Sequence, residues 1–190
     1  MSLCIKCYFL KSTDILLSFI PYTFGFINLK NLIVMSTTFL TTAEFLEHWQ
    51  GHRRLTRRVI EAFPEKELFE FSVGGMRPFS ELAKELLAIA APGLKEIVNR
   101  ESIPFDEKRE NLKTKADILK AWDESTELIN EYYNKITAER FRENHNLFGQ
   151  YEFPVYQNLL YFIDNEIHHR GQGYVYLRAL GIQPPFFWER

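Results

Sequence analysis

Apolar residues recur at helical spacing along most of the chain, and four stretches stand out. The first opens at Thr41, which pairs with Glu44 three residues on as a capping box. Its stripe of Phe45, Trp49, Val59, Ile60 and Phe63 predicts an amphipathic helix that stops before Pro64. The second runs from about Ser80 to Asn99, with Leu82, Leu86, Ile89, Leu94, Ile97 and Val98 as its apolar positions. Pro92-Gly93 inside it predicts a kink or a break. The third opens at Thr114 with Asp117 and is expected to bury Ile118, Leu119, Trp122, Ile129, Tyr133 and Ile136. The fourth starts at about Pro154, a residue favoured in a first turn, and ends at Gly181 with Pro184-Pro185 beyond. The connections are polar or rich in glycine: one with Gly74, Gly75 and Pro78, a second over residues 100–113, and a long one from about Ala138 to Phe153. No strand pattern and no internal repeat interrupts this order. The fold class is therefore all-α, a four-helix bundle.

Composition narrows the picture. The chain has 190 residues, 46 % hydrophobic and 25 % charged, which is ordinary for one globular domain and excludes disordered or low-complexity classes. The formal net charge is −2, and the arginine run at Arg53, Arg54, Arg57 and Arg58 is followed directly by Glu61, Glu65 and Glu67. Those arginines read as solvated or ion-paired surface, and no nucleic-acid partner is expected. Charge is uneven, because residues 1–35 carry only Lys6, Lys11, Asp14 and Lys30. Residues 1–34 are expected to be an extension outside the fold, with the domain spanning 35–190. A weak membrane-associating tail is the alternative reading of the extension. The apolar run Ile15 to Ile27 is too short and too interrupted for a spanning helix. The Cys4-x-x-Cys7 pair has neither a second cysteine pair nor a nearby histidine, so it receives no metal or redox role. A cytoplasmic protein without a membrane partner is the expectation.

Polar residues at apolar positions mark the candidate chemistry. On the fourth helix, Asn158, Phe162, Asn165, His169, Gln172 and Tyr176 fall near one line, while Ile163, Ile167 and Leu177 fall elsewhere and read as core. His168 points about 100° from His169, so the two cannot share a face. A solvated face normally carries Lys, Glu or Asp; amides alternating with aromatics suit an enclosed pocket. His52 and Thr56 interrupt the first stripe, and Glu85 lies between Leu82 and Ile89 on the second. A buried carboxylate needs a cation, a metal or hydrogen-bond donors. A divalent-metal site and a buried polar network both satisfy that pattern.

The run Asn165-Glu166-Ile167-His168-His169-Arg170-Gly171-Gln172, with Leu180-Gly181-Ile182 and Pro184-Pro185 downstream, resembles the fourth-helix signature of the DinB/YfiT-like superfamily. Phe79-Ser80-Glu81-Leu82, with Gly75-Met76-Arg77 ahead, is similar to the family's entry into helix two. The resemblance covers about residues 40–190. It implies a four-helix bundle, often dimeric, that holds nickel or zinc through three histidines. Those ligand positions correspond to 85, 165 and 169, occupied here by Glu85, Asn165 and His169. One histidine is kept and two are replaced, which shifts preference from nickel or zinc towards manganese, iron or magnesium. His52 is expected to face the same interior and to supply a second nitrogen.

The resemblance implies a metal-dependent enzyme acting on a small molecule, as a thiol-cofactor S-transferase or a hydrolase, with a divalent ion (Ni, Zn, Mn or Fe) as cofactor. The alternative is a non-catalytic bundle or binding protein with a degenerate metal site. A homodimer is expected, because Trp49, Trp122, Trp188 and Phe186-Phe187 offer more aromatic surface than a small bundle needs to bury.

Overall fold

The computed structural model describes residues 39–190. The expectations for residues 1–34, the extension, its alternative as a membrane tail and the Cys4/Cys7 pair, lie outside the described residues. From there the elements are α1 (Thr42–Ala62), α2 (Glu65–Glu70), α3 (Phe79–Asn99), α4 (Lys115–Tyr133), a 3-10 turn (Arg140–Arg142), β1 (Asn144–Leu147), β2 (Tyr151–Pro154) and α5 (Val155–Ala179). The four long helices form the expected bundle. No helix among the described residues is long and apolar enough to cross a membrane.

Both capping boxes form. Thr41 Oγ1 accepts from the Glu44 amide at 3.1 Å, and Glu44 Oε2 accepts from the Thr41 amide at 2.8 Å. At α4, Thr114 Oγ1 accepts from the Asp117 amide at 3.1 Å and Asp117 Oδ2 accepts from the Thr114 amide at 2.9 Å. Each box satisfies amide donors that the first helical turn would leave bare.

Three elements differ from the sequence expectation. First, α3 continues through Pro92 without a break. Proline removes one amide donor, but Ala88, Ile89, Ala90 and Ala91 before it and Leu94 and Ile97 after it are all buried, and this packing holds the helix together. Second, the short helix α2 fills part of the first connection, pinned by the buried Leu68. Third, the long connection contains an antiparallel hairpin, pairing Asn144 with Pro154 and Leu147 with Tyr151. Four-residue strands are too short to show alternation, and their register comes from outside the hairpin. Glu96 of α3, 1 % exposed, accepts from the Phe148 amide at 2.8 Å and sits 3.2 Å from His145 Nε2. Its other oxygen accepts from the Ile103 amide at 2.9 Å, so one buried carboxylate ties both the hairpin and the 100–113 segment to α3.

The core has two parts. One gathers Trp49, Leu94, Ile129, Leu159 and Phe162; the other gathers Phe63, Phe79, Leu87, Trp122 and Tyr176. Two glycines let α3 and α5 approach. A Cβ on Gly93 would lie 2.6 Å from the Phe162 ring, and one on Gly173 would lie 2.5 Å from the Phe79 ring. These close approaches fix α5 against α3 at two levels, and the candidate site lies between them.

Candidate polar site between α3 and α5

Glu85 projects from α3, and Asn165 and His169 project from successive turns of α5. Glu85 Oε1 accepts from His169 Nε2 at 3.0 Å and, more weakly, from Asn165 Nδ2 at 3.5 Å. Glu85 Oε2 carries an ion pair with the Arg77 guanidinium. His169 Nδ1 lies 2.9 Å from Gln172 Oε1, and the Tyr176 hydroxyl donates to the Arg77 carbonyl at 3.0 Å. Thus the predicted face of α5 does converge: Asn165, His169 and Gln172 reach the cluster, while Tyr176 positions the backbone of Arg77. Asn158, from the same face, instead spans the hairpin through the carbonyls of His145 and Phe153. His168 is exposed.

The cluster is partly desolvated. The Glu85 side chain is 14 % exposed and that of His169 8 %. The His169 hydrogen bond, aided by Arg77, holds the Glu85 carboxyl at about 2 against burial, which pushes the other way. Beside it opens a cleft of about 210 Å³. Arg77 and Glu85 form part of its wall, and Phe105, Phe148, Tyr151 and Tyr161 form much of the rest.

His52 does not join this cluster. Its Nδ1 lies 2.9 Å from Arg170 Nη2, and its Nε2 lies 3.2 Å from His48 Nε2 and 3.1 Å from Arg190 Nη1. Burial first, then the charges of Arg170, His48 and Arg190, push its pKa down to about 3. His52 belongs to a second buried network, between α1, α4 and α5. There Glu166 accepts from the Thr56 hydroxyl at 2.6 Å and pairs with Arg53 at 3.6 Å and Arg170 at 3.7 Å. Arg53, expected at the surface, is 1 % exposed and stacks 3.5 Å from the Trp122 ring centroid. Ile167, expected in the core, is 41 % exposed. The sequence reading missed Arg77, Glu166 and Arg170 as site or network residues. The only available signal was that Glu166 and Arg170 are four apart on the same helical side as Ile163, next to a core position.

A three-histidine nickel or zinc centre was tested against these side chains. The donors that meet are one imidazole, one carboxylate and one amide. The second carboxylate oxygen is already neutralised by Arg77, whose guanidinium repels any further cation placed there. Among the described residues no three His, Cys, Asp or Glu side chains converge on a metal position. The residues do not fit such a centre.

The mostly helical bundle is a fold this chain shares with known proteins. The DinB family model matches residues 35–189, and the chain belongs to the DinB family. Its fold is similar to that of a DinB-like protein from Bacillus cereus ATCC 10987, with a TM-score of 0.66 at 16 % identity, covering 80 % of this chain and 100 % of that one. It is also similar to the DinB-like protein YjoA from Bacillus subtilis, with a TM-score of 0.64 at 23 % identity, covering 77 % of this chain and 99 % of that one. No curated protein matches the chain.

Proposed function

We propose that this protein is a non-catalytic, small-molecule-binding member of the DinB family in which an internal guanidinium takes the role a metal would have. The observation that carries the reading is the Arg77 ion pair on Glu85. A partly buried carboxylate needs a counter-charge and hydrogen-bond donors; Arg77 supplies the charge and His169 a hydrogen bond, both from within the chain. The cleft beside the pair offers both an anionic and a cationic group under aromatic walls, which suits a small polar molecule carrying a donor and an acceptor. Self-association as a homodimer belongs to the same reading, supported by Phe186, Phe187 and Trp188, which are 50–67 % exposed.

The test is metal content after tag-free purification, and again after incubation with nickel, zinc, manganese and iron. Substoichiometric metal throughout is the expected result. A second reading, a metal-dependent transferase or hydrolase acting on a small molecule such as a thiol, draws support from one observation: Glu85, Asn165 and His169 meet at a single carboxylate oxygen. One retained equivalent of metal, lost in His169→Ala, would favour that reading and defeat the first.

A further inference from the structure

A second cavity of about 610 Å³ lies between α3 and α4, closed on one side by the 100–113 segment. It is distinct from the Glu85 cluster, and its size falls in the range typical of small-molecule sites. The apolar wall comes from Leu87 and Ala91, one turn apart on α3, with Leu112 and Leu128 opposite. The polar groups are unevenly charged. Asp117 is committed to the α4 capping box, and Glu124 faces Lys120 at 3.9 Å. That leaves Lys95 and Arg109, neither of which has a carboxylate within ion-pair distance among the described residues. Arg109 is half-buried, and burial lowers its pKa while the more distant charge of Asp106 works the other way, so its charge is held in a poorly solvated place without a direct ion pair. Its backbone has φ 42°, the left-handed region that a non-glycine residue adopts at a cost.

The remaining observation points into the same space. Ser125 lines the cavity, is 5 % exposed, and its hydroxyl has no hydrogen-bond partner among the described residues. A serine inside a helix usually returns its hydroxyl to a carbonyl one turn back. Here it does not, and a buried hydroxyl without a partner costs about 1–3 kcal/mol.

We propose that this cavity binds an organic anion with an apolar body: a carboxylate held by Arg109 and Lys95 and accepting from the Ser125 hydroxyl, with the hydrocarbon over Leu87, Ala91, Leu112 and Leu128. A half-buried guanidinium without an ion pair, an orphan hydroxyl and an apolar wall in one cavity are together what such a molecule needs. A neutral ligand would leave the half-buried Arg109 without an ion-pair partner, and a cationic one would meet Arg109 and Lys95.

Calorimetric titration of the full chain with decanoate tests this, with decylamine and decanol as controls. Decanoate should bind saturably, and decylamine should not. Arg109→Gln should weaken decanoate about tenfold or more, given the usual worth of a hydrogen bond to a charged group. Ser125→Ala should weaken it by a smaller factor. Circular dichroism melts confirm that each variant is folded. The proposal is overturned by no saturation at millimolar decanoate, by equal binding of decylamine or decanol, or by a folded Arg109→Gln that binds like the parent. None of these outcomes bears on the metal measurement above.

Discussion

The Nη2 of Arg170 lies 2.9 Å from Nδ1 of His52, so a guanidinium donates to a nitrogen that must itself carry a proton in the charged imidazole. Burial first, and then the charges of Arg170, His48 and Arg190, hold native His52 neutral down to about pH 3. The unfolded chain takes up that proton near the ordinary value of 6.5, so it binds more protons than the native state in between. Stability is full above 6.5 and falls as the pH drops from 6.5 towards 3. Glu85 acts in a lower window: its contribution is present above about 4.5 and lost between 4.5 and about 2. Melting temperatures between pH 7 and 5 should fall in the parent and fall less in His52→Gln. His145, also lowered by burial and by Arg140, accounts for slope that remains. Equal slopes in both proteins would refute the assignment to His52.

Among the described residues, Glu166 is the one carboxylate that pairs with both Arg53 and Arg170. Glu166→Ala should cost about 3–5 kcal/mol, because it strands buried guanidinium charge. Glu166→Gln keeps the shape and an acceptor for Thr56, so its loss should be smaller. Urea midpoints measure both; a loss below about 1 kcal/mol for Glu166→Ala would contradict a buried ion network.

Two glycines on α5 should respond in opposite directions. Gly171 has open space where a Cβ would go, so Gly171→Ala should stabilise by about 0.5–1 kcal/mol through helix propensity. Gly173→Ala places its methyl 2.5 Å from the Phe79 ring, and the overlap should outweigh that gain with a net loss of about 1–2 kcal/mol. Thermal or urea unfolding that gives both variants the same sign would show that α3 and α5 do not meet as closely as described.

The polar cluster can be converted towards a metal site. Asn165→His creates an i, i+4 histidine pair with His169, and Arg77→Gln removes the competing guanidinium. The double variant should bind nickel or zinc by calorimetry where the parent does not, with Asn165→His alone weaker. If Asn165→His alone binds as tightly as the double variant, Arg77 is not what excludes the metal.

The site was partly legible before the fold was known. Helical phasing put Asn165, His169 and Gln172 on one face, and Glu85 was marked by its place in an apolar stripe; all four meet. His52 was marked by the same reasoning and assigned to the same interior, yet it packs with Arg170. Periodicity reports that a residue faces inward but not which neighbour it faces. Arg77 carries no site signal in the sequence because it sits just ahead of α3, where no periodicity applies. Arg53 reads as one of four surface arginines, and partners on other helices, Trp122, Thr126 and Glu166, make its burial tolerable.

What the sequence determined by itself was local: helix starts at Thr41 and Thr114, the stop before Pro64, the long helix after Pro154, and hence an all-α bundle. These depend on backbone caps and on the 3.6-residue period, which act over a turn or two of chain. The tertiary structure alone decided that α3 survives Pro92, that residues 144–154 form a hairpin, and that Glu85 is matched by Arg77 and His169. Each of those outcomes depends on partners brought together by packing: the buried flanks of Pro92, the Glu96 anchor of the hairpin, and α5 drawn against α3 at Gly93 and Gly173.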